Sequence, residues 1–373
     1  MGDISKAIRP FRSAVGRLVR EAALYPTLAR RRAGRRVAFL PSGTRQQSSL
    51  LRAWNVADGL AADHGWSTLV VPPQLGQSQR RRLLSLFQPD IVVVQQCRHP
   101  LNRLPYLREW PFVLDVDDAD FLDASLSDVL AGVAQGSLGV ICGSRYIRDW
   151  ADRHAAATAI VWTGTPASLG PWPDHAKRAP IVTWAQSSVS GYPAEYDFVR
   201  KVIASVAARR GGLEFRIYGW DLPDDHSTLA QLRAAGVAVE TRSFMSYRDF
   251  LQSLREVSVG LSPLSSEGFS LGKSFGKILA YLDAKVPVVC SDAADHGLFF
   301  DAASAVVSNE TTVWVDRICA LLDDPSARTK MSDAAHAAFK ARLSTEAAVR
   351  EVDRFLQSVL SATEGSTIPN SPL

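Results

Sequence analysis

Cysteine is scarce and scattered in this chain. Cys97, Cys142, Cys290 and Cys319 share no close spacing, which excludes a paired metal-ligand motif and a disulfide framework. Cys142 and Cys290 close apolar runs and read as small core residues. Also missing are an uninterrupted apolar run of roughly 18 residues and an opening hydrophobic segment with a cleavage site. No membrane span is therefore expected, and a reducing cytoplasm is the simplest compartment. Hydrophobic residues make up 46% and charged residues 21%, which excludes disordered and fibrous classes. At 373 residues the chain is comfortable as two domains.

Acidic residues are sparse at the beginning, where basic ones crowd. Lys6, Arg9, Arg12, Arg17, Arg20, Arg30, Arg31, Arg32, Arg35 and Arg36 all fall in residues 1–36, against a net charge of only +4. At helical period Ile4, Ile8, Phe11, Val15 and Leu18 share one stripe, and the early basic residues face away from it. Pro10 and Gly16 interrupt a continuous helix. Residues 4–36 could lie on an anionic membrane surface. Alternatively the helix docks on the protein's own body and leaves a solvated basic face. Nucleic acid is not an expected partner, because the basic run lacks interleaved aromatics and no recognition motif follows.

Beyond this segment the chain repeats one grammar twice. Val37–Leu40, Thr68–Val71, Asp90–Val94, Phe112–Leu114 and Leu138–Cys142 are short apolar runs separated by amphipathic stretches such as Leu50–Leu60. After a proline-rich passage, Thr165–Pro180, the pattern restarts at Ile181–Trp184. It continues through Phe215–Tyr218, Val237–Val239, Val257–Leu261, Val286–Cys290 and Ala305–Val307. Apolar strands alternating with helices predict parallel sheets covered on both faces. The expected division is a first α/β domain over 37–170 and a second over 178–345. A C-terminal helix over 346–362 would cross back to the first domain, ahead of a polar, disordered tail over 364–373. Ligands sit at the carboxyl ends of strands in such sheets, and the interdomain cleft is the default site.

The most informative stretch is Ser265–Tyr281, SSEGFSLGKSFGKILAY. A phosphate-binding P-loop requires four residues between its first glycine and Gly-Lys-Ser. Here Gly268 and Gly272 leave room for three, so the loop is one residue short. A strand leading through a turn into a helix that begins near Gly272 still favours an anion at the helix start. Lys273 and Lys277 would project from one face there, and Ser274 adds a hydroxyl. The plainer alternative is a helix with two solvated lysines and a glycine kept for packing.

The run from Tyr247 to Asp292, YRDFLQSLREVSVGLSPL followed by GKSFGKILAYLDAKVPVVCSD, resembles the nucleotide-sugar half of retaining GT-B glycosyltransferases. The Gly-Lys-Ser-x-x-Lys form, with Tyr281 and Pro287-Val288-Val289 beyond it, is similar to a family-4-like branch that builds cell-surface polysaccharides. Ile181–Trp184 with Ser187 and Ser188, Phe215–Gly219, and DIVVVQQCRHP, FVLDVDDADF and GVICGSRYI in the first half extend the resemblance over about Val37 to Leu356. It implies a GT-B fold, two Rossmann-like doubly wound parallel-sheet domains facing a cleft, and catalysis without a metal or other cofactor. Gly272, Lys273, Ser274, Lys277, Ser187 and Ser188 would hold the donor diphosphate. Glu267, Gly268 and Phe269 would meet the nucleotide or sugar.

The chain departs from the family in two places. The glutamate pair that holds the donor ribose in the wider family falls on Gly272 and Ala280. Gln186 stands where the family tends to have glycine, with no arginine or lysine beside it for the diphosphate. Donor binding would therefore rest on Lys273 and Lys277.

Asp115, Asp117, Asp118 and Asp120 follow the strand Phe112–Leu114. Such a cluster can hold a magnesium ion with a phosphate, begin a phosphoaspartate phosphatase motif, or form a capping acidic loop. The resemblance implies the last. His99 follows the strand Asp90–Val94; a lone histidine is more often structural than catalytic. Under the resemblance His99 and Asp118 become catalytic groups, and Gly43, Arg98 and Asp117 the acceptor side, with Arg145 a weaker candidate.

The expected activity is transfer of a sugar from a nucleotide diphosphate donor to a cell-surface polysaccharide or lipid-linked glycan. The location expected is cytoplasmic, at the inner face of the membrane where residues 4–36 dock. A nucleotide-sugar epimerase and a non-catalytic GT-B-like binding or scaffold protein are the alternatives, the latter because of Ala280.

Overall fold

Runs rich in valine and isoleucine, too short for helices and bounded by turn residues, become strands. A computed structural model describes residues 14–29, 34–168, 170–223, 226–265, 268–273, 278–298 and 306–365. The chain divides into two units, Met1–Gly164 with Thr345–Leu373, and Thr165–Ser344. The first boundary thus falls at Gly164, ahead of the expected residue 170.

In the first unit six strands form one parallel sheet: β1 (Arg36–Leu40), β2 (Ser67–Val70), β3 (Ile91–Gln95), β4 (Phe112–Val116), β5 (Val140–Cys142) and β6 (Thr158–Ile160). Their order is β2-β1-β3-β4-β5-β6, with Val37 opposite Thr68 on one side and Ile91 on the other. The sequence reading did not single out β6, a three-residue strand at the sheet edge whose residues are only half-buried. An edge strand carries less of the apolar signal that marks the central ones.

Side chains alternate between the two faces of the sheet. Ala38, Val92, Val94 and Leu114 pack with Leu83, Phe87 and Leu130, from the helices Gln77–Phe87 and Ser127–Gln135. Phe39, Ile91, Val93 and Val113 pack on the opposite face with Leu60, from the helix Asn55–Asp63. That face is also covered by the helix Thr345–Gly365, through Val349, Val352, Leu356 and Val359. A polar clasp fastens this last helix: Trp66 Nε1 donates to Asp353 at 2.7 Å and His64 Nδ1 lies 2.9 Å from the same carboxylate. Each fully buried side chain of this size contributes roughly 1.5–3 kcal/mol. That explains why a helix so distant in sequence belongs to the first unit.

In the second unit the strands are β7 (Ile181–Ala185), β8 (Glu214–Tyr218), β9 (Ala238–Arg242), β10 (Val259–Ser262), β11 (Val288–Ser291) and β12 (Val306–Val307). They are ordered β12-β11-β10-β7-β8-β9, all parallel. Val199, Ile203 and Val206 of the helix Pro193–Arg210 and Trp314 and Ile318 of the helix Thr311–Asp323 fill one core with Val182, Trp184 and Phe215. The chain enters and leaves this unit side by side, with Thr165 N donating to Leu343 O at 3.2 Å beside a bridge from Thr165 to Ser344.

Residues 14–22 are helical, but the helix does not dock by the stripe expected of it. Val15 is 43% and Leu18 60% exposed, while Glu21 is the buried residue of the turn. Ile4, Ile8 and Phe11, the rest of the stripe, lie outside the described residues, as does the tail beyond 365. Among the described residues no helix is long and apolar enough to cross a membrane.

Candidate functional site

In an open parallel sheet, a ligand site forms where two neighbouring strands send their connections in opposite directions. The first sheet reverses between β1 and β3, the second between β7 and β10. Several of the described candidate residues follow the strands at these two points.

At the β1/β3 point the strand ends are sewn together by amides. Asn102 Nδ2 donates to Leu40 O at 3.1 Å and to Gln95 O at 3.0 Å. Gln95 Oε1 accepts from Ser49 Oγ at 2.7 Å and from Ser42 N at 3.3 Å. Gly43 N donates to the same Ser49 hydroxyl at 3.0 Å, and a Cβ added at Gly43 would sit 3.0 Å from it. Gly43 is therefore explained by the turn itself. Gln96 takes a left-handed φ of 50° class, at 52°. Its amide lies between Ser42 Oγ, 3.3 Å away, and Asp117 Oδ1, 2.5 Å away.

The acidic run after β4 is partitioned among separate partners. Asp115 is buried and chelated by Arg52 through Nε at 3.0 and 3.1 Å and through NH2. Arg52 also donates to Val161 O at 2.9 Å and Thr163 Oγ1 at 3.1 Å. It sits on a π-helical turn, Leu50–Trp54, at the head of the helix Asn55–Asp63. Such a turn widens the helix and re-aims a side chain. Burial opposes the charge on Arg52, but Asp115 holds its pKa above the usual value. Arg98 Nε donates to Asp120 at 2.8 Å and its NH2 to Asp118 at 2.9 Å. Among the described residues no cation bonds Asp117, whose Oδ1 accepts from Gln96 Nε2. Burial pushes its carboxyl up to about 7, Arg52 works against this, and Asp118 and Asp115 add to it. Among the described residues no three His, Cys, Asp or Glu side chains converge as a metal-ligand set.

His99 caps the turn Pro100–Asn102. Its Nδ1 accepts from Leu101 N at 3.2 Å and faces Arg80 NH2 at 3.4 Å. Two donors on Nδ1 make that nitrogen the acceptor of a neutral ring. Burial, and then the charge of Arg80, lower the pKa further. The structure thus places His99 as a capping group of the turn that follows β3. Arg80, which the sequence reading did not select, is 4% exposed and also donates to Asn102 Oδ1 at 3.0 Å. An arginine in a run of three on a helix, Arg80-Arg81-Arg82, carries no sequence signal that one of them turns inward. Arg145 opens the helix Arg145–Ala151 behind Ser144, which caps it.

At the β7/β10 point the surroundings are more open. Gly219, after β8, has φ +77°, and a Cβ there would meet Gln186 O at 2.0 Å. Only glycine lets this turn cross the loop that follows β7. Ser188 Oγ donates to Asp221 Oδ2 at 2.5 Å, and Ser190 reaches the same carboxylate through N at 2.9 Å and Oγ at 2.6 Å. The Ser188 hydroxyl, with these Ser190 donors, holds the exposed Asp221 carboxyl down at about 2. Ser188, expected at the diphosphate, is thus turned to a negative charge, while Ser187 next to it is exposed. Asp221 was missed because a single aspartate two residues after a glycine has no distinguishing pattern.

The glycine-lysine-serine stretch begins in a 3-10 turn, and residues 274–277 after it lie outside the described residues. Gly268–Gly272 forms a 3-10 turn with Gly268 at φ +60°, and the described α-helix is Ile278–Asp283. The backbone of Phe269 lies on that turn. Lys273 follows it, half-buried, with its Nζ 5.6 Å from the centre of the Tyr192 ring. Lys273 is therefore brought beside the loop after β7. Leu264, ahead of the turn, is fastened by Ser291 Oγ at 2.8 Å and Asn309 Nδ2 at 2.8 Å. Glu267, Ser274 and Lys277 lie outside the described residues, so the expected pairing of the two lysines does too. Ala280 is 1% exposed. It faces the core of its unit, and no carboxylate stands at that position.

No protein-family model matches the chain, and no curated protein matches its sequence. Solved structures do match. Sucrose-phosphate synthase from Thermosynechococcus elongatus superposes with a TM-score of 0.66 at 11% identity, over 88% of this chain and 100% of that one. Anabaena HepE in complex with UDP and glucose gives 0.62 at 12%, over 87% and 100%. A glycosyltransferase from Rickettsia africae gives 0.66 at 10%, over 88% and 99%. Identities this low establish the fold alone. The fold class is GT-B: two parallel-sheet α/β domains of the kind these glycosyltransferases share.

Proposed function

We propose that the protein is a glycosyltransferase that takes a sugar from a nucleoside diphosphate donor. The observation that carries this reading is Lys273, delivered by the turn Gly268–Gly272 to the loop after β7 at the switch point of the second sheet. That is where a doubly wound sheet accepts a phosphorylated ligand. The glycosyltransferase folds of the matching structures support it, and HepE is a neighbour solved with UDP and glucose.

In this reading the bond between the anomeric carbon and the diphosphate breaks, the acceptor hydroxyl oxygen bonds to that carbon with retention of configuration, and the hydroxyl's proton passes to the departing diphosphate. Lys273, with Ser187, Ser274 and Lys277, stabilises the charge that grows on the departing diphosphate. No metal or other cofactor takes part. In the first unit Asp117 and the Arg98–Asp118 pair bind acceptor hydroxyls. The acceptor is a cell-surface polysaccharide or a lipid-linked glycan.

Calorimetric titration with a panel of nucleoside diphosphates tests the donor site. One of them should bind, and Lys273→Ala should weaken it by about tenfold, the loss of one charge-assisted contact. A folded chain that binds none of them overturns the reading. Product analysis by NMR should then show the anomeric configuration kept, with turnover unchanged by a chelator. One specific observation favours a second reading, a binding protein without turnover. Ala280 stands buried where the resemblance expects the ribose-holding glutamate. Nucleotide binding with no transfer to any glycan would decide for it.

A further inference from the structure

A buried guanidinium costs stability unless acceptors or an anion meet it. Arg52 has an anion, and grips Asp115 side-on through Nε and NH2. Arg328 has backbone carbonyls, those of Leu321, Leu322 and His175 at 2.6, 2.9 and 2.7 Å. Arg178 likewise reaches Val257 O at 2.9 Å. Arg80 is less well served. Its NH1 donates to Asn102 Oδ1 at 3.0 Å, but NH2 has the longer contacts, Pro73 O at 3.3 Å and His99 Nδ1 at 3.4 Å. Its buried Nε, like those of Arg178 and Arg328, has no hydrogen-bond partner. No carboxylate among the described residues bonds Arg80, and burial holds its pKa down at about 10. The edge that Arg52 turns to Asp115, Nε with NH2, is thus the edge that Arg80 leaves loosely filled.

Arg80 also lines a cavity of about 40 Å³, with Leu40, Leu84, Leu101, Tyr106 and Trp110 in its walls. The cavity lies within the first unit, at the carboxyl end of β1, where Leu40 is the last residue. A single water occupies roughly 10–15 Å³ of such space, so there is room for about three small heavy atoms, the size of a carboxylate. Tyr106, 37% exposed, and Trp110 supply flat apolar faces beside it. Glu109, also in the lining, is already paired with Arg81 at 2.9 Å. We propose that this cavity binds the carboxylate of a small organic acid, side-on to Nε and NH2 of Arg80, with the carbon skeleton of the acid against Leu101 and Tyr106. A sugar acid and a simple aliphatic acid share that chemistry. Neither Lys273 nor a nucleotide takes part, so the cavity and the transferase reading stand or fall separately.

Titration of the full chain with glucuronate, acetate and glucose, followed by saturation-transfer NMR, tests it. Glucuronate and glucose share a ring and differ in the carboxylate. Glucuronate should bind at least about tenfold more tightly, the worth of one charge-assisted pair. Arg80→Met removes the guanidinium at similar length and should erase that difference. Leu101→Phe narrows the cavity while Arg80 stays in place, and should weaken glucuronate by about tenfold. This second variant keeps the test decisive where Arg80→Met does not fold. The acetate arm separates the sources: glucuronate tighter than acetate assigns a sugar acid, and equal affinity assigns a simple aliphatic acid, both within the proposal. Binding of neither acid, glucose binding as well as glucuronate, or acid binding unchanged by either substitution overturns it. So does inorganic phosphate binding where both acids fail, which would give the cavity to a different anion.

Discussion

At the β1/β3 switch point the aspartates after β4 already have partners: Asp115 has Arg52, Asp117 has Gln96, and Asp118 and Asp120 share Arg98. At the β7/β10 point one lysine rests against a tyrosine ring, and an exposed aspartate is wrapped by two serines. The first arrangement is finished without a ligand, since a buried charge has to be matched within the protein. In the second, Lys273 follows the turn Gly268–Gly272 beside the Tyr192 ring, and the Asp221 carboxylate stays exposed.

Breaking the preformed side should have the largest effect. Arg52→Met leaves the Asp115 carboxylate buried and alone, and denaturant unfolding should register a loss of about 3–5 kcal/mol. Adding Asp115→Asn should recover most of it; a double variant as unstable as the single would show that the pair is not the cause. On the open side, Gly219→Ala forces a side chain into left-handed backbone against Gln186 O. It should cost about 2–3 kcal/mol in the same assay and weaken nucleotide binding by displacing the loop.

A third test uses pH. The Asp117 carboxyl is raised to about 7 in the fold, above its unfolded value near 4. Its contribution is thus fully present below about pH 4 and is lost as pH rises through about 7. The wild type should lose on the order of 4 kcal/mol of stability across that window from this group. Asp117→Asn should flatten the slope; an unchanged slope would mean that other groups set it. The smallest effect is predicted for Ser188→Ala. Its hydroxyl serves Asp221, so nucleoside diphosphate affinity should change by less than about twofold, well below the loss from Lys273→Ala. A loss as large as that of Lys273→Ala would return Ser188 to the diphosphate.

How much of this was legible in the sequence depends on the range of the interactions involved. The central strands could be read because burial on both faces forces consecutive apolar residues. Edge strand β6 could not, since half its environment is solvent. The motif around Gly272 was legible as a turn ahead of a helix, but its 3-10 form over Gly268–Gly272 was not. The backbone there forms a 3-10 turn, which the glycine spacing does not distinguish from an α-helical one. Asp221 and Arg80 were invisible because their significance comes from residues far away in the chain, Ser188 and Ser190 for one and His99 and Asn102 for the other.

The sequence by itself determined that there are two parallel α/β halves, that no apolar run is long enough to span a bilayer, and that the positive charge gathers at the amino end. Those properties follow from period and composition, which act locally along the chain. Only the tertiary structure decided how the aspartates after β4 are partnered, that His99 caps the turn Pro100–Asn102, and that Val15 and Leu18 point outward while Glu21 points in. A carboxylate's or an arginine's role is fixed by whichever opposite charge the fold brings within hydrogen-bond distance. That pairing is set by strand order, with β4 laid beside β3 and Arg52 raised above them on its widened turn.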